Sequence, residues 1–444
     1  MVYSLTYRRP SRVSTLSSDE EKRSINESLS SGSSGMSHGI PEALSFDRII
    51  AGGTCPPCTV RDFMNYLKYI EFSAENLQFY LWFQDYSARF AQLPESEKVL
   101  APEWSHEQAE AEAAASTAGS KPSRKANAHV AEALKGTDFA DRRNPNPFNT
   151  PDQTPSLDEG KRDPSSEYGS STGETRTTAV SSTMARSVAE HAFDDAGMKW
   201  KPFTVQPYRD EVNRIISVYI ADKSPRELNL AGRERTAALH ALQNTTHPSA
   251  FHAVAKSVEY SLRRQAHPNF VRWTICNGNR PRVIFARGLG VAGIVAGIVA
   301  DLVITLSSAG RAWRVVPLIG WFIGIATLIA AWKGMCVVLH GMHHRHMRPW
   351  ELFADETDEV MDEKRLSNDS FLSQSTNSFE DEPWIARYQK RNIIRKVFDR
   401  EKWIQEPALR QIQDTIFLQA LLGSFLLSCL FVGIFCAVPA GNFF

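Results

Sequence analysis

With 50 Lys and Arg against 50 Asp and Glu in 444 residues, the chain has a formal net charge of zero at pH 7, which excludes the global basic excess of a nucleic-acid binder. Six cysteines are too few for a disulfide-dense secreted scaffold, and three of them, Cys336, Cys429 and Cys436, lie in apolar runs. A mean hydropathy of -0.31 averages segments of very different character, so arguments from charge have to be local.

The opening MVYSLTYRRPSRVSTLSSDEEKR lacks the apolar core of a secretory signal. Residues 1–40, rich in Ser and charge, are predicted to be a disordered tail in the cytosol. Next comes Cys55-Pro56-Pro57-Cys58, with the spacing of a redox pair or half a zinc site. No second C-x-x-C and no neighbouring histidine completes a zinc site, and no strand precedes the pair. The prolines are therefore read as delivering the chain to an N-cap at Thr59, with the cysteines as small packing residues.

Phe63, Tyr66, Leu67 and Ile70 follow at i, i+3, i+4 and i+7, one face of a helix. A second helix, SAENLQFYLWFQDYSARF, carries Phe79, Tyr80, Trp82, Phe83, Tyr86 and Phe90 and has to be deeply packed. Residues 41–92 thus form a first helical portion. Residues 93–200 turn to Ser, Thr, Pro, Asn and charge, as in NPNPFNTPDQTPSLDEGKRDPSS, and are predicted to be a disordered insertion with at most a short helix near EQAEAEAAAS. Helical periodicity returns in 201–275, first with Val212, Ile215, Ile216 and Tyr219, then with Phe251, Val254, Val258 and Leu262.

Three apolar runs then predict transmembrane helices at 283–308, 315–341 and 416–438, each long enough to cross about 30 Å of hydrocarbon. Arginines crowd the approach to the first run and the 342–415 loop, whereas the connection between the first two runs has only Arg311 and Arg314. This bias places the N-terminal part and the long loop in the cytosol. Within the loop, ARYQKRNIIRKVFDREKWI reads as a basic amphipathic helix lying on anionic lipid, and the acidic, Ser-rich stretch before it reads as a solvated linker.

TVRDFMNYLKYIEFSAENLQFYLWFQDY, ELNLAGRERTAAL and HPNFVRW together resemble segments of the RGS family, the regulators of G-protein signalling. The resemblance implies an all-α, RGS-like helical bundle interrupted by the long insertion and followed by the three transmembrane helices. It also implies a function: RGS proteins contribute no chemistry of their own and require no cofactor, but clamp the switch loops of a Gα subunit and so accelerate GTP hydrolysis by preorganisation. Carried over residue by residue, Glu75 and Asn76 match the family's switch-contacting Glu-Asn. Leu239 stands where the family has an Asn or Ser, and Gln265 and Asn269 stand where it has an Asp and an Arg; Gln243 or Asn244 lies close enough in sequence to supply the missing amide. The whole arrangement resembles fungal RGS membrane proteins, including the bud-site-selection type, for which the alternative is a non-catalytic landmark or scaffold for polarised growth. The implied partners are Gα, membrane lipid of the plasma membrane, and a second membrane protein.

Three further patterns lie in or beside the apolar runs. Gly293-x-x-x-Gly297 and Gly320-x-x-x-Gly324 suit close helix packing, either within the chain or with another protein. Asp301 and Lys333 are ionisable, but each stands near a span end where it reaches an interface, which argues against a transport path. In LHGMHHRHMR, His340, His343 and His344 have helical ligand spacing, with His346 beyond; a cationic cluster at headgroup level explains them with fewer assumptions than a metal.

Overall fold

A computed structural model describes residues 12, 40–105, 173–198, 205–353, 368–373, 376–377, 382–439, 441 and 443. The expected tail at 1–39, apart from Arg12, and the expected helix at EQAEAEAAAS lie outside the described residues.

The chain is mostly helical, with one short strand pair. Helix α1 (Phe46–Ile50) leads to α2 (Val60–Tyr66), whose start is fixed by a capping box: Thr59 Oγ1 accepts from the Asp62 amide, and an Asp62 carboxylate oxygen accepts from the Thr59 amide. Phe63, Tyr66 and Leu67 face the core as their spacing predicts, but Ile70 is 42% exposed. The reason is a π-helical turn over Leu67–Glu71, which inserts a residue into the helical phase and rotates Ile70 off the buried face. Helix α3 (Ala74–Ala91) sinks Phe79, Tyr80, Trp82, Tyr86 and Phe90 into the centre of the bundle, where Trp82 Nε1 donates to Glu211 at 2.7 Å.

The segment expected to be a disordered insertion, 93–200, is helical at its far end. There α4 (Gly173–Asp195) buries Ala185, Ala189, Ala192 and Phe193 and packs on α5 (Arg209–Ile215). Its buried stripe is nearly all alanine, so it carries little hydropathy contrast. Close approach of the helix to its neighbour, more than side-chain volume, is what it offers. Helices α5, α6 (Gly232–Asn244), α7 (His252–Ser261) and α8 (His267–Ile275) complete the bundle, with the predicted faces at Val212, Ile215, Ile216 and Tyr219 and at Phe251, Val254, Val258 and Leu262 all buried.

Three helices are long and apolar enough to cross a membrane. Helix α9 (Arg280–Leu306) is capped by Asn279, whose side chain accepts from the Arg282 amide. The second span, Arg311–Trp332, runs from a short 3-10 turn into helix α10 (Leu318–Trp332) and ends sooner than the expected 315–341, because Gly334 takes φ +81° and Cys336 is extended; the chain restarts as α11 (Val337–Gly341). Beyond it, β1 (His344–His346) pairs antiparallel with β2 (Glu401–Trp403), and between the two strands lie α12 (Pro383–Gln389) and α13 (Ile393–Val397). Helix α14 (Pro407–Ala437) begins well before the expected 416, with Pro407 at its first position and Glu406 accepting from the Ala408 amide.

The two glycine pairs meet within the chain. Gly293 and Gly297 on α9 lie against Gly320 and Gly324 on α10, with backbone in van der Waals range. Asp301 is fully buried and accepts from Trp321 Nε1 at 2.7 Å. Lys333 donates to Gln419 Oε1 on α14 at 2.9 Å.

A second core joins the bundle to the apolar helices. Ile40, Leu44, Cys58, Val271 and Ile275 pack with Ala330, Met335, Ile404, Leu409, Ile412 and Ile416. The Cys-Pro-Pro-Cys turn sits at this seam. The Pro56 carbonyl accepts from the Gln405 and Glu406 amides, and the Cys55 amide donates to Glu406 Oε2 at 2.8 Å. Cys58 is buried, and burial raises its thiol pKa far above the ordinary value, opposite to what a redox thiolate needs.

Candidate functional site

The expected partner-contacting residues fall into three places. Glu75 and Asn76 occupy the first turn of α3, reached through Phe72 in the left-handed conformation (φ +56°) and Ser73 at the N-cap. Both are half-buried. Burial raises the Glu75 carboxyl above its usual range, and Asn377 Nδ2 lies 3.5 Å from Glu75 Oε2. Asn377 also forms a reciprocal amide pair with Gln78, at 3.1 and 3.2 Å.

Gln265 and Asn269 gather at Glu71, the last residue of the π-helical turn after α2. Asn269 is buried and donates from Nδ2 to Glu71 Oε1 at 2.9 Å, and Gln265 lies beside the same carboxylate. Burial nevertheless raises the Glu71 carboxyl. Glu71 and Glu75 therefore flank one turn with their carboxyls partly withdrawn from water. Leu239 joins neither group. It lies 3% exposed in the bundle core on α6, as an aliphatic side chain should. The Asn244 side-chain amide donates to the His240 carbonyl at 3.2 Å, and the Gln243 carbonyl accepts from Arg209, so this end of α6 is engaged internally.

Sequence reasoning did not anticipate the part played by the loop between the second and third apolar helices. Phe371 is buried in the bundle core, Tyr219 donates to its carbonyl at 2.9 Å, and Arg226 donates to the Ser370 carbonyl at 2.9 Å. Glu382 forms an ion pair with Lys68 and accepts from Tyr69, while Trp350 stacks between Tyr69 and Trp273 with centroids 4.7 and 6.1 Å away. No periodicity announces these anchors, because each is a single residue in a polar, acidic stretch. Phe371 in SNDSFLSQ is an apolar signal there that points to docking.

Among the described residues this surface holds no nucleophile–base pair. The family model of the regulator of G protein signaling domain matches residues 192–275, the stretch from the end of α4 through α8. No curated protein and no solved structure matches. Helices α2 and α3, outside the matched stretch, close the same core as α5 to α8. The chain thus combines an RGS domain with three helices of membrane-spanning length and apolarity.

Proposed function

We propose that the chain is a membrane-held regulator of heterotrimeric G-protein signalling, which binds the switch regions of Gα and accelerates GTP hydrolysis. The observation that carries this reading is the RGS match at 192–275, whose helices share one core with the aromatic helix that presents Glu75 and Asn76. The regulator needs no chemistry of its own, since Gα supplies the reacting groups and gains from having them held in place. Attachment to the membrane raises the effective concentration of the module against a membrane-bound partner. The orientation that fits the arginine distribution has the bundle in the cytosol at the plasma membrane. In that orientation the exposed Ile393, Ile394 and Phe398 beside Arg395 and Lys396 lie on anionic lipid.

A second reading has a specific basis. Leu239 is buried in the core, and Asn269 is committed to Glu71, so two of the five expected contact positions do not offer a polar group to a partner. This favours a non-catalytic module that localises or scaffolds, such as a landmark for polarised growth in a fungal cell, with the apolar helices pairing with a second membrane protein. Single-turnover GTP hydrolysis by Gα, with and without the full chain in nanodiscs, separates the two. Acceleration that falls at least about tenfold in Glu75→Ala and Asn76→Ala supports the activator. Binding of Gα without acceleration supports the scaffold, and neither binding nor acceleration refutes both.

A further inference from the structure

We propose that His340, His343 and Asp414 form a binding site for a divalent transition-metal ion of the zinc class, which staples the corner after the second apolar helix to the start of the third. Asp414 is distant in sequence from the histidine run, and only the fold brings the three together. His340 Nε2 lies 3.4 Å from Asp414 Oδ1, and His343 Nδ1 lies 3.8 Å from the same oxygen. The three ligand atoms all lie within 4.8 Å of one another.

These separations are longer than the about 2.7–3.2 Å of an N–H···O hydrogen bond. The two nitrogen–carboxylate separations approach the ligand–ligand edges, about 3.3–3.6 Å, set by a tetrahedral ion with bonds of about 2.0–2.2 Å, and the third, between the two rings and within 4.8 Å, closes as the ion is taken up. The independent sign is an orphan. His343 Nδ1 is shielded from solvent and finds no hydrogen-bond partner among the described residues, although it faces the carboxylate. A buried ring nitrogen in that position is satisfied by a cation that it and Asp414 share.

The surroundings hold the ligands in place. His340 is 4% exposed, its ring packed on Phe417 with centroids 4.5 Å apart. His343 takes the left-handed conformation, φ +51°, and its carbonyl accepts from the Ile404 amide at 3.0 Å, which fixes the turn into β1. Two imidazoles and one carboxylate form a borderline nitrogen–oxygen set that suits zinc and its neighbours. Calcium and magnesium take mostly oxygen ligands, in larger number. Three protein ligands leave one tetrahedral position for water.

The other histidines of the run do not belong to the site. His344 turns its Nδ1 to the Met342 carbonyl at 2.6 Å, and His346 Nε2 lies 2.9 Å from Asn279 Nδ2. A headgroup-level cationic cluster is thereby reduced to one pair of metal-facing rings and two histidines engaged elsewhere. A bound ion would tie α11 and the start of β1 to α14, beside the seam where Gln413 Nε2 donates to the Ile275 carbonyl at 3.0 Å.

The full-length chain in nanodiscs, stripped with chelator, should take up one Zn²⁺ per chain by calorimetric titration. Co²⁺ should give the intense visible absorption of tetrahedral coordination, bleached by added Zn²⁺. His343→Gln, at a half-exposed residue whose change leaves the core intact, and Asp414→Asn should each weaken Zn²⁺ at least about tenfold, whereas His344→Gln should not. Zn²⁺ should also raise the thermal midpoint of the wild-type chain but not that of His343→Gln. Absence of saturable binding in wild type, or equal binding by His343→Gln and Asp414→Asn, would overturn the site and leave a plain histidine–aspartate contact.

Discussion

Gly324→Ala and Gly320→Ala put the same methyl group on the same helix one turn apart, yet they should act in opposite directions. A Cβ at Gly324 would lie 2.8 Å from the Ile294 amide nitrogen and 2.9 Å from the Gly290 carbonyl oxygen. Both are backbone atoms of α9 and cannot rotate away, so α9 and α10 have to separate. A Cβ at Gly320 would meet nothing nearer than the Gly293 carbonyl oxygen at 3.5 Å and Gly297 backbone at 3.6 Å, which is ordinary contact. Overpacking of this kind costs about 1–3 kcal/mol, while replacing a helical glycine by alanine recovers up to about 1 kcal/mol. The expected outcome is a loss of about 1–2 kcal/mol for Gly324→Ala and a neutral or slightly favourable change for Gly320→Ala.

The assay is reversible unfolding of the full chain in mixed micelles, read by loss of helicity and by the indole N–H resonance of Trp321. Trp321 is a sensitive reporter, since a Cβ at Gly297 would lie only 3.2 Å from its ring and its indole donates to Asp301. Equal losses for the two variants would refute the reasoning, because they would show that glycine at both positions serves something other than the α9–α10 contact.

Other expectations follow from single groups. His267 is buried with Nε2 2.8 Å from the Leu44 carbonyl oxygen, and burial pushes it down to about 4 from 6.5. The fold keeps the neutral ring, so its contribution is fully present above 6.5 and is lost as pH falls towards 4. That loss is on the order of 3 kcal/mol. His267→Gln should flatten that limb of a pH–stability curve, and an unaltered slope would assign the acid sensitivity elsewhere. Phe371→Ala should cost about 3 kcal/mol at its core site and speed amide exchange across 368–377, whereas exchange unchanged from wild type would mean that the backbone bonds from Tyr219 and Arg226 hold the segment alone. In native protein a maleimide should label exposed Cys55 and spare Cys58 until unfolding; equal rates would show that the turn at 55–58 opens readily.

The helical faces were legible wherever apolar volume and regular phase coincide, as at Val212, Ile215, Ile216 and Tyr219. Legibility failed where one of the two was missing. At Ile70 the volume was present but the π-helical turn broke the phase. At α4 the phase was present, but alanines carry too little hydropathy to show it. Within the candidate surface, Glu75 and Asn76 were placed by local motif, and the structure keeps them in the first turn of α3. Leu239 was placed by counting from Arg233-Glu234, and a count along a helix does not decide which side of it faces the core. Asp414 was invisible as a ligand because nothing local links it to His340 and His343; only the packing of α14 on α11 does.

The deepest miss concerns the boundary between bundle and apolar helices. Composition changes sharply after Arg282, and no pattern in the sequence says what joins the two parts. The structure puts a core there. Asn277 donates to the Cys336 carbonyl at 3.3 Å and accepts from the Cys336 amide at 2.7 Å, and Arg282 pairs with Glu401 at 2.7 Å. Leu44, Cys58, Val271 and Ile275 are buried against residues that arrive from 330 onwards. Removing Leu44, Val271 and Ile275 from their partners exposes apolar surface worth about 1.5–3 kcal/mol for each, comparable in total with the whole stability of a small domain. A piece ending near 275 would therefore carry a raw apolar face and a Cys-Pro-Pro-Cys turn without its Glu406 partner. Failure of that piece to act on Gα would report the cut rather than the RGS domain. The same seam packs α8, the helix that carries Asn269, directly against α14.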